Sequence, residues 1–286
     1  MLLIVKTIAE VREAVAKAKC QVKVVGFVAT MGALHEGHGE LIRQCKRDSG
    51  FVVVSIFVNP TQFGPKEDFT QYPRTLEADA KLCEAAGADM IFHPEVATMY
   101  PDSRDSMCFV GVPGISTMLE GTSRPGHFEG VATVVLKLFS IVGPDLAHFG
   151  TKDYQQLLVI RKLVKDLDLP LEIRGVETVR EADGLAMSSR NRYLNAEERQ
   201  AATVLSRALR LAAQVVKEGE RSGDRVRQIL RRAIELEPLA RVDYAEVADA
   251  ETLESLDTLS QGCRAVALLA VRVGPARLID NLTLPG

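Results

Sequence analysis

The chain has 286 residues, 47% hydrophobic and 26% charged, with 35 Lys and Arg against 38 Asp and Glu for a net charge of -3. That length points to about two domains, and the composition to a globular chain able to bury a core. Balanced charge excludes a broad non-specific nucleic-acid surface, which needs net positive charge, while leaving room for a local basic pocket for a small anion.

In chain order, the opening Leu2-Leu3-Ile4-Val5 meets Lys6 and Glu10 at once, so a secretory leader is not expected. Residues 22–29 read as a buried strand, and a helical pattern begins over 40–46. Residues 51–58 form a second buried strand, too short for the ~20 apolar residues of a membrane span. A helix over 74–86 ends at Gly87, followed by a short strand over 89–92. Residues 94–114 carry little regular signal and read as a loop. An apolar helix spans 127–142, then a strand 146–149, a helix 154–165 and a strand 171–176. Apolar strands without polar alternation, separated by helices, indicate parallel strands covered on both faces.

The pattern changes near residues 176–182. Asn195 with Glu197 and Glu198 reads as an N-cap opening a helix to about Lys217. A second helix spans 223–236, and strands 242–247, 265–273 and 277–281 lack a crossover helix between the last two. The expected architecture is α/β: a doubly wound parallel Rossmann-like sheet over 1–177, with a smaller α+β C-terminal domain over 178–286. Cys20, Cys45, Cys83, Cys108 and Cys263 form no C-x-x-C pair, which fits a reducing cytoplasm.

The strongest local signal follows the first strand: Thr30-Met31-Gly32-Ala33-Leu34-His35-Glu36-Gly37-His38. A strand, a glycine-containing turn and a helix start is where doubly wound sheets bind ligands, and free N–H groups at a helix start attract phosphate. His35 and His38, three apart, lie on one face if the segment is helical, and can bond phosphate oxygens or, when protonated, oppose developing negative charge. A metal pair is the weaker reading, because zincin histidines stand four apart with a third ligand elsewhere. Two solvated histidines are the plainer alternative. No dinucleotide fingerprint or P-loop occurs.

Three further stretches join it. Phe149-Gly150-Thr151-Lys152-Asp153-Tyr154-Gln155-Gln156 again lies between strand and helix, with Lys152 a point charge suited to phosphate and Asp153 readable as an N-cap. Asn59-Pro60-Thr61-Gln62-Phe63 follows the second strand on the same carboxyl edge. Gly184-Leu185-Ala186-Met187-Ser188-Ser189-Arg190-Asn191-Arg192 offers two hydroxyls and a guanidinium in sequence, a weak signal by itself.

Residues Met31 to His38 resemble the HIGH-type signature of the nucleotidylyltransferase superfamily, and Met187-Ser188-Ser189-Arg190 its KMSKS-type counterpart. Together with Asn59 to Phe63, Glu120-Gly121 through Arg124-Pro125-Gly126-His127-Phe128, and Gly150 to Gln156, the chain resembles the pantothenate synthetase (pantoate–β-alanine ligase) family over nearly its whole length. It departs at Ala29, where the family usually has Pro, and at Gly39-Glu40, where Leu-Ser is commoner.

The resemblance implies condensation of pantoate with β-alanine, using ATP and Mg²⁺ through a pantoyl adenylate and releasing AMP and pyrophosphate. It implies ATP contacts along Met31, Gly32, Ala33, Leu34, His35, Glu36, Gly37 and His38, along Gly150, Thr151, Lys152 and Asp153, at the Val179 backbone, and along Met187, Ser188, Ser189 and Arg190. His38 is the implied proton donor, acting with His35, Lys152 and Arg190. Gln62 and Gln156 match pantoate-binding positions, with Gln62 also near β-alanine and Met31 beside the reacting centre. Glu120, Arg124 and His127 are secondary candidates that could simply tie down a helix start. The Mg²⁺ ligands stay open. A homodimer is implied, with a hydrophobic edge strand near Val110 as a candidate contributor.

Other classes stay in view. A nucleotidylyltransferase that stops after AMP transfer would share both signatures but retain the nucleotide in its product. An aminoacyl-tRNA synthetase is disfavoured by the short chain and the lack of a basic region. A nucleotide-binding protein without chemistry would be expected to have lost a histidine or Lys152. An acyl adenylate hydrolyses in water, so the C-terminal domain is expected to close as a lid carrying Ser188 to Arg190.

Overall fold

The computed structural model describes residues 2–65, 67–102 and 106–286. The chain divides into two compact units, Met1–Thr151 with Gln155–Glu177, and Lys152–Tyr154 with Thr178–Gly286. The first unit runs β1 (Leu3–Val5), α1 (Ile8–Cys20), β2 (Val25–Thr30), α2 (Glu36–Asp48), β3 (Phe51–Ile56), α3 (Leu76–Ala86), β4 (Met90–Phe92), α4 (Val96–Met99), α5 (Glu120–Ser123), α6 (His127–Val142), β5 (Leu146–Gly150), α7 (Tyr154–Asp166, less its first residue, which groups with the second unit) and β6 (Glu172–Val176). Its six strands are all parallel, in the order β1-β4-β3-β2-β5-β6. Alternate strand residues face opposite ways. Phe27 and Val53 pack with Val11 of α1, Phe139 of α6 and Ile160 of α7, whereas Val28, Val52 and Val54 pack with Ile42 of α2 and Cys83 of α3. Both faces are therefore covered, which accounts for the uninterrupted apolar runs.

Several local readings need correction. β1 and α1 precede the first expected strand, and Thr7 and Glu10 form a reciprocal capping box that starts α1. Val22 is 93% exposed with φ 56°, so the strand begins three residues later, at Val25. α2 begins at Glu36, four residues before the apolar pattern becomes visible. The loop over 94–114 contains α4, and its residues 103–105 lie outside the described residues. Val110 is not in a strand; its N–H donates to Thr133 Oγ1 at 2.9 Å.

The second unit contains α8 (Ala196–Ala201), α9 (Val204–Lys217), α10 (Gly223–Glu235), β7 (Ala240–Asp249), β8 (Ala265–Val273) and β9 (Ala276–Thr283). The strands form an antiparallel sheet in the order β7-β8-β9. Leu205 and Leu209 of α9 and Leu230 and Ile234 of α10 pack on it with Val247, Leu269 and Leu278. The one helix expected from 195 to 217 is two. The Thr203 hydroxyl donates to the Gln200 carbonyl at 2.7 Å, a side-chain bond that competes with the helical ladder at the break.

Candidate active site

β2 has β3 on one side and β5 on the other, so the strand order reverses at its carboxyl end. Such a switch point opens a crevice for ligands. The loop leaving β2 is tightly held. Thr30 Oγ1 donates to the Ser55 carbonyl at 2.7 Å and accepts from the Gly32 N–H at 3.3 Å. Gly32 has φ 82°, a conformation that strains any other residue. Asp79 of α3, 2% exposed, accepts the Ala33 N–H at 3.0 Å, the Leu34 N–H at 2.8 Å and the Thr75 hydroxyl at 3.1 Å. Charge-assisted bonds of this kind are about twice as strong as neutral ones.

The loop delivers both histidines to the start of α2. His35 is its N-cap and His38 follows in the first turn, with ring centroids 4.1 Å apart. The His35 N–H donates to His38 Nδ1 at 3.3 Å. A backbone N–H can only donate, so a neutral His38 carries its proton on Nε2, where a ligand oxygen can accept it. Glu36 pairs with Arg43 further along the helix, and Gly37 lies between the histidines.

Gln62 ends a 3-10 turn, Pro60–Gln62, after β3. Asn59 Nδ2 donates to Gln62 Oε1 at 3.1 Å, which fixes the amide so that Nε2 points to Met31 Sδ at 2.9 Å. Sulfur is a weak acceptor, so that donor can exchange readily for a substrate oxygen. Asn59 Oδ1 in turn accepts from the Thr61 N–H and hydroxyl and the Tyr100 hydroxyl. Gly130 of α6 lets the helix approach this turn, since a Cβ there would sit 2.5 Å from the Thr61 carbonyl oxygen.

Behind the turn, Arg124 donates through Nε and Nη2 to Glu67 at 2.6 and 2.7 Å and lies 3.0 Å from His127 Nε2. Arginine cannot accept, so Nε2 is the acceptor and His127 Nδ1 donates to the Gln62 carbonyl at 2.8 Å. Burial, then the Arg124 charge, push His127 down to about 4, so it is neutral near pH 7. Burial opposes ionisation of Glu67, yet the Arg124 bond and charge hold it below the usual range.

Gly150 closes β5, and Thr151–Asp153 form a 3-10 turn running straight into α7. Asp153 thus sits in that turn, with Lys152 Nζ 3.8 Å from its Oδ1. Gln155 is fully engaged: its Nε2 donates to the Ile115 and Met118 carbonyls and its Oε1 accepts from the Glu120 N–H. Gln156 is half-buried beside it.

In the second unit, residues 179–187 form a small hairpin. The Met187 N–H donates to the Val179 carbonyl at 3.0 Å, Arg180 bridges to Ala186, and Gly184 turns with φ 92°. Ser188 then caps a 3-10 turn, Ser189–Tyr193, by accepting the Arg190 N–H. Arg199 braces the hairpin through Glu181 at 2.6 Å and Asp183 at 2.7 Å.

The first unit thus joins Met31 with Gln62 and sets the His35 and His38 rings against each other at a tilt of 44°, while the second unit holds Lys152 together with the Val179–Arg190 segment. Sequence reasoning passed over Asp79 as a site support. It lies in the first turn of α3, where a carboxylate looks like an ordinary helix-dipole partner, and its targets are 45 and 46 residues away.

A family model described as pantoate-beta-alanine ligase matches residues 3–283. A pantothenate synthetase from Roseiflexus sp. (strain RS-1) is 53% identical over 98% of this chain and 99% of its own. Another from Moorella thermoacetica is 50% identical over 98% of each. The pantothenate synthetase of Thermus thermophilus superimposes with TM-score 0.92 at 47% identity, covering 99% of this chain and 100% of its own. The pantoate-beta-alanine ligase of Francisella tularensis, solved in complex with beta-gamma ATP and beta-alanine, gives TM-score 0.81 at 33% identity, covering 99% of this chain and 98% of its own.

Proposed function

The chain belongs to the pantoate–β-alanine ligase family, and from that premise we propose that it condenses pantoate with β-alanine in two steps, of which only the first consumes ATP. The pantoate carboxylate attacks the α-phosphorus of ATP, the α–β bridge bond breaks, and pyrophosphate leaves pantoyl adenylate behind. The β-alanine amine then attacks the acyl carbon, loses a proton, and expels AMP as the amide forms. The single observation that carries the substrate side is Gln62. Its Oε1 is occupied by Asn59 while its Nε2 rests on a sulfur, a donor held ready for a hydroxyl or carboxylate without adding charge.

His38 Nε2–H and His35 would donate to phosphate oxygens as charge develops at phosphorus. Lys152, Ser188, Ser189 and Arg190 would meet the triphosphate, and the loops at 31–38, 150–153, Val179 and Met187 would supply backbone contacts. Gln156 would join Gln62 on pantoate. Among the described residues, no group of three His, Cys, Asp or Glu side chains could hold a metal ion. The donors at hand are N–H and O–H groups that suit phosphate, so Mg²⁺ would arrive on the nucleotide, held by phosphates and water, and supply charge neutralisation.

Three coarser features complete the reading. The second unit acts as a lid that keeps water from the adenylate. Equal interdomain angles in ligand-free and ATP-bound crystals would exclude that motion. The enzyme works as a homodimer, which sedimentation velocity checks. It works in the cytoplasm, in keeping with five free cysteines and no helix, among the described residues, long and apolar enough to cross a membrane. The test of the reaction is ATP–pyrophosphate exchange without β-alanine. Exchange that requires pantoate supports the ligase reading; intact ATP binding with no exchange would overturn it in favour of a non-catalytic nucleotide binder.

A further inference from the structure

We propose that Asp280 and Asn281, neighbours on β9, are positioning residues that set the Lys152 turn and the Ser188–Arg190 loop relative to each other. The proposal rests on the reading that both loops contact the triphosphate.

Successive residues of a strand point to opposite faces of the sheet. Ala276 and Leu278 share a face with Asp280 and lie in the apolar core of the second unit. Asp280 extends that face with a buried carboxylate, 2% exposed. Its Oδ2 accepts from Arg180 Nη1 at 2.7 Å, and its Oδ1 accepts from Arg180 Nη2 at 2.9 Å and from the Asn281 N–H at 2.8 Å. The same guanidinium donates to the Gly184 carbonyl at 3.1 Å and the Asn281 carbonyl at 3.3 Å. One side chain therefore fastens the strand end to the turn of the hairpin that leads into Ser188.

Asn281 faces the other way. Its Nδ2 donates to the Lys152 carbonyl at 2.8 Å, 129 residues upstream in the chain. The Tyr154 hydroxyl adds a second attachment, to the Ala250 carbonyl at 2.9 Å. The strand between the two anchors is rigid, because Asp280 and Asn281 pair with Leu269 and Leu268 of the central strand β8. Two loops far apart in sequence are thus referenced to adjacent residues of one fixed element. A cationic clamp on a phosphoryl group depends on that kind of fixity, since a misplacement of about 1 Å can cost roughly 10²-fold in rate. Neither residue touches ATP in this scheme; each acts through the loop it holds.

The test compares Asn281→Ala, Lys152→Met and the double variant by pantoate-dependent ATP–pyrophosphate exchange, with thermal midpoints recorded alongside. Asn281→Ala is expected to slow exchange about tenfold and raise KM for ATP while leaving KM for pantoate unchanged. Lys152→Met is expected to cost about 10²-fold. The double variant should match Lys152→Met within about twofold, because a displaced lysine has already been removed. Multiplying effects, a silent Asn281→Ala, or a change in KM for pantoate as large as that for ATP would overturn the proposal. A silent Lys152→Met would instead overturn the reading of Lys152 itself, and that single variant reveals it without reference to Asn281. Asp280→Asn should repeat the ATP-specific signature; if it fails to fold, the Asn281 arm decides alone.

Discussion

The two units brace their site loops by different means. In the first, neutral groups predominate: Asn59 beneath Gln62, a neutral His127 on the Gln62 carbonyl and Gln155 across the 115–120 segment, beside the buried Asp79 carboxylate and one Arg124–Glu67 pair. In the second, arginines do the bracing. Arg180 and Arg199, about a quarter exposed at 26% and 25%, hold the 179–187 hairpin through carboxylates. Water-facing charge pairs are screened by salt and contribute little, whereas buried neutral bonds are indifferent to ionic strength. The bonds that hold the Gln62 turn are accordingly insensitive to ionic strength, while the exposed pairs of the hairpin respond to it, apart from its one buried carboxylate.

That carboxylate is where the contrast faces its most severe trial. Arg180→Met leaves Asp280 buried without its partner and should destabilise the second unit by about 3–5 kcal/mol. Chemical denaturation should then show an early transition while the first unit unfolds at its usual midpoint. A single unchanged transition would mean that water reaches Asp280 and the brace is dispensable. Next comes His38→Ala, which should lower kcat by roughly 10²–10³ without altering the fold. A loss under about threefold would place His38 outside the reaction.

Acid separates the halves in a second way. His127 falls from 6.5 to about 4 on folding, so between those values the unfolded chain binds a proton that the folded chain refuses. Stability is complete above about pH 6.5 and is lost as pH falls towards 4, by about 3 kcal/mol in all. His148, lowered by burial against the opposing pull of Asp48, adds to the loss with the same sign. Denaturation midpoints for His127→Asn should show a flatter slope in that window; an unaltered slope would assign the acid sensitivity elsewhere. Arg199→Gln should matter least, about 0.5–1 kcal/mol at low salt and less at high salt. A salt-independent loss would show that the Arg199 pairs are more enclosed than their exposure indicates.

Much of this was legible in the residues. The parallel sheet followed from unalternating Val-rich runs, and Gly87 ended α3 as expected, with φ 95°. What escaped had physical reasons. β1 is three residues long and α1 starts from a capping box rather than a glycine turn, so neither stood out against the apolar opening. The helix start expected after the glycine turn has His35 as its N-cap, whereas the apolar pattern shows only from residue 40, because Glu36, Gly37 and His38 carry no apolar periodicity. His127 was weighed as a helix-start tether, and its hold on the Gln62 carbonyl depends on a contact 65 residues back. Asp280 and Asn281 look like the polar end of an edge strand until Arg180 and Lys152 are seen against them.

The grouping of Lys152–Tyr154 with the second unit also bears on how the protein can be taken apart. The polypeptide passes between the units after Thr151, again after Tyr154 and again after Glu177, so no single cut separates them cleanly. A fragment comprising 178–286 would leave the Asn281 amide and the Ala250 carbonyl without the groups they hold in the intact chain. Limited proteolysis near residue 177 should therefore yield two pieces that complement one another and co-elute in gel filtration.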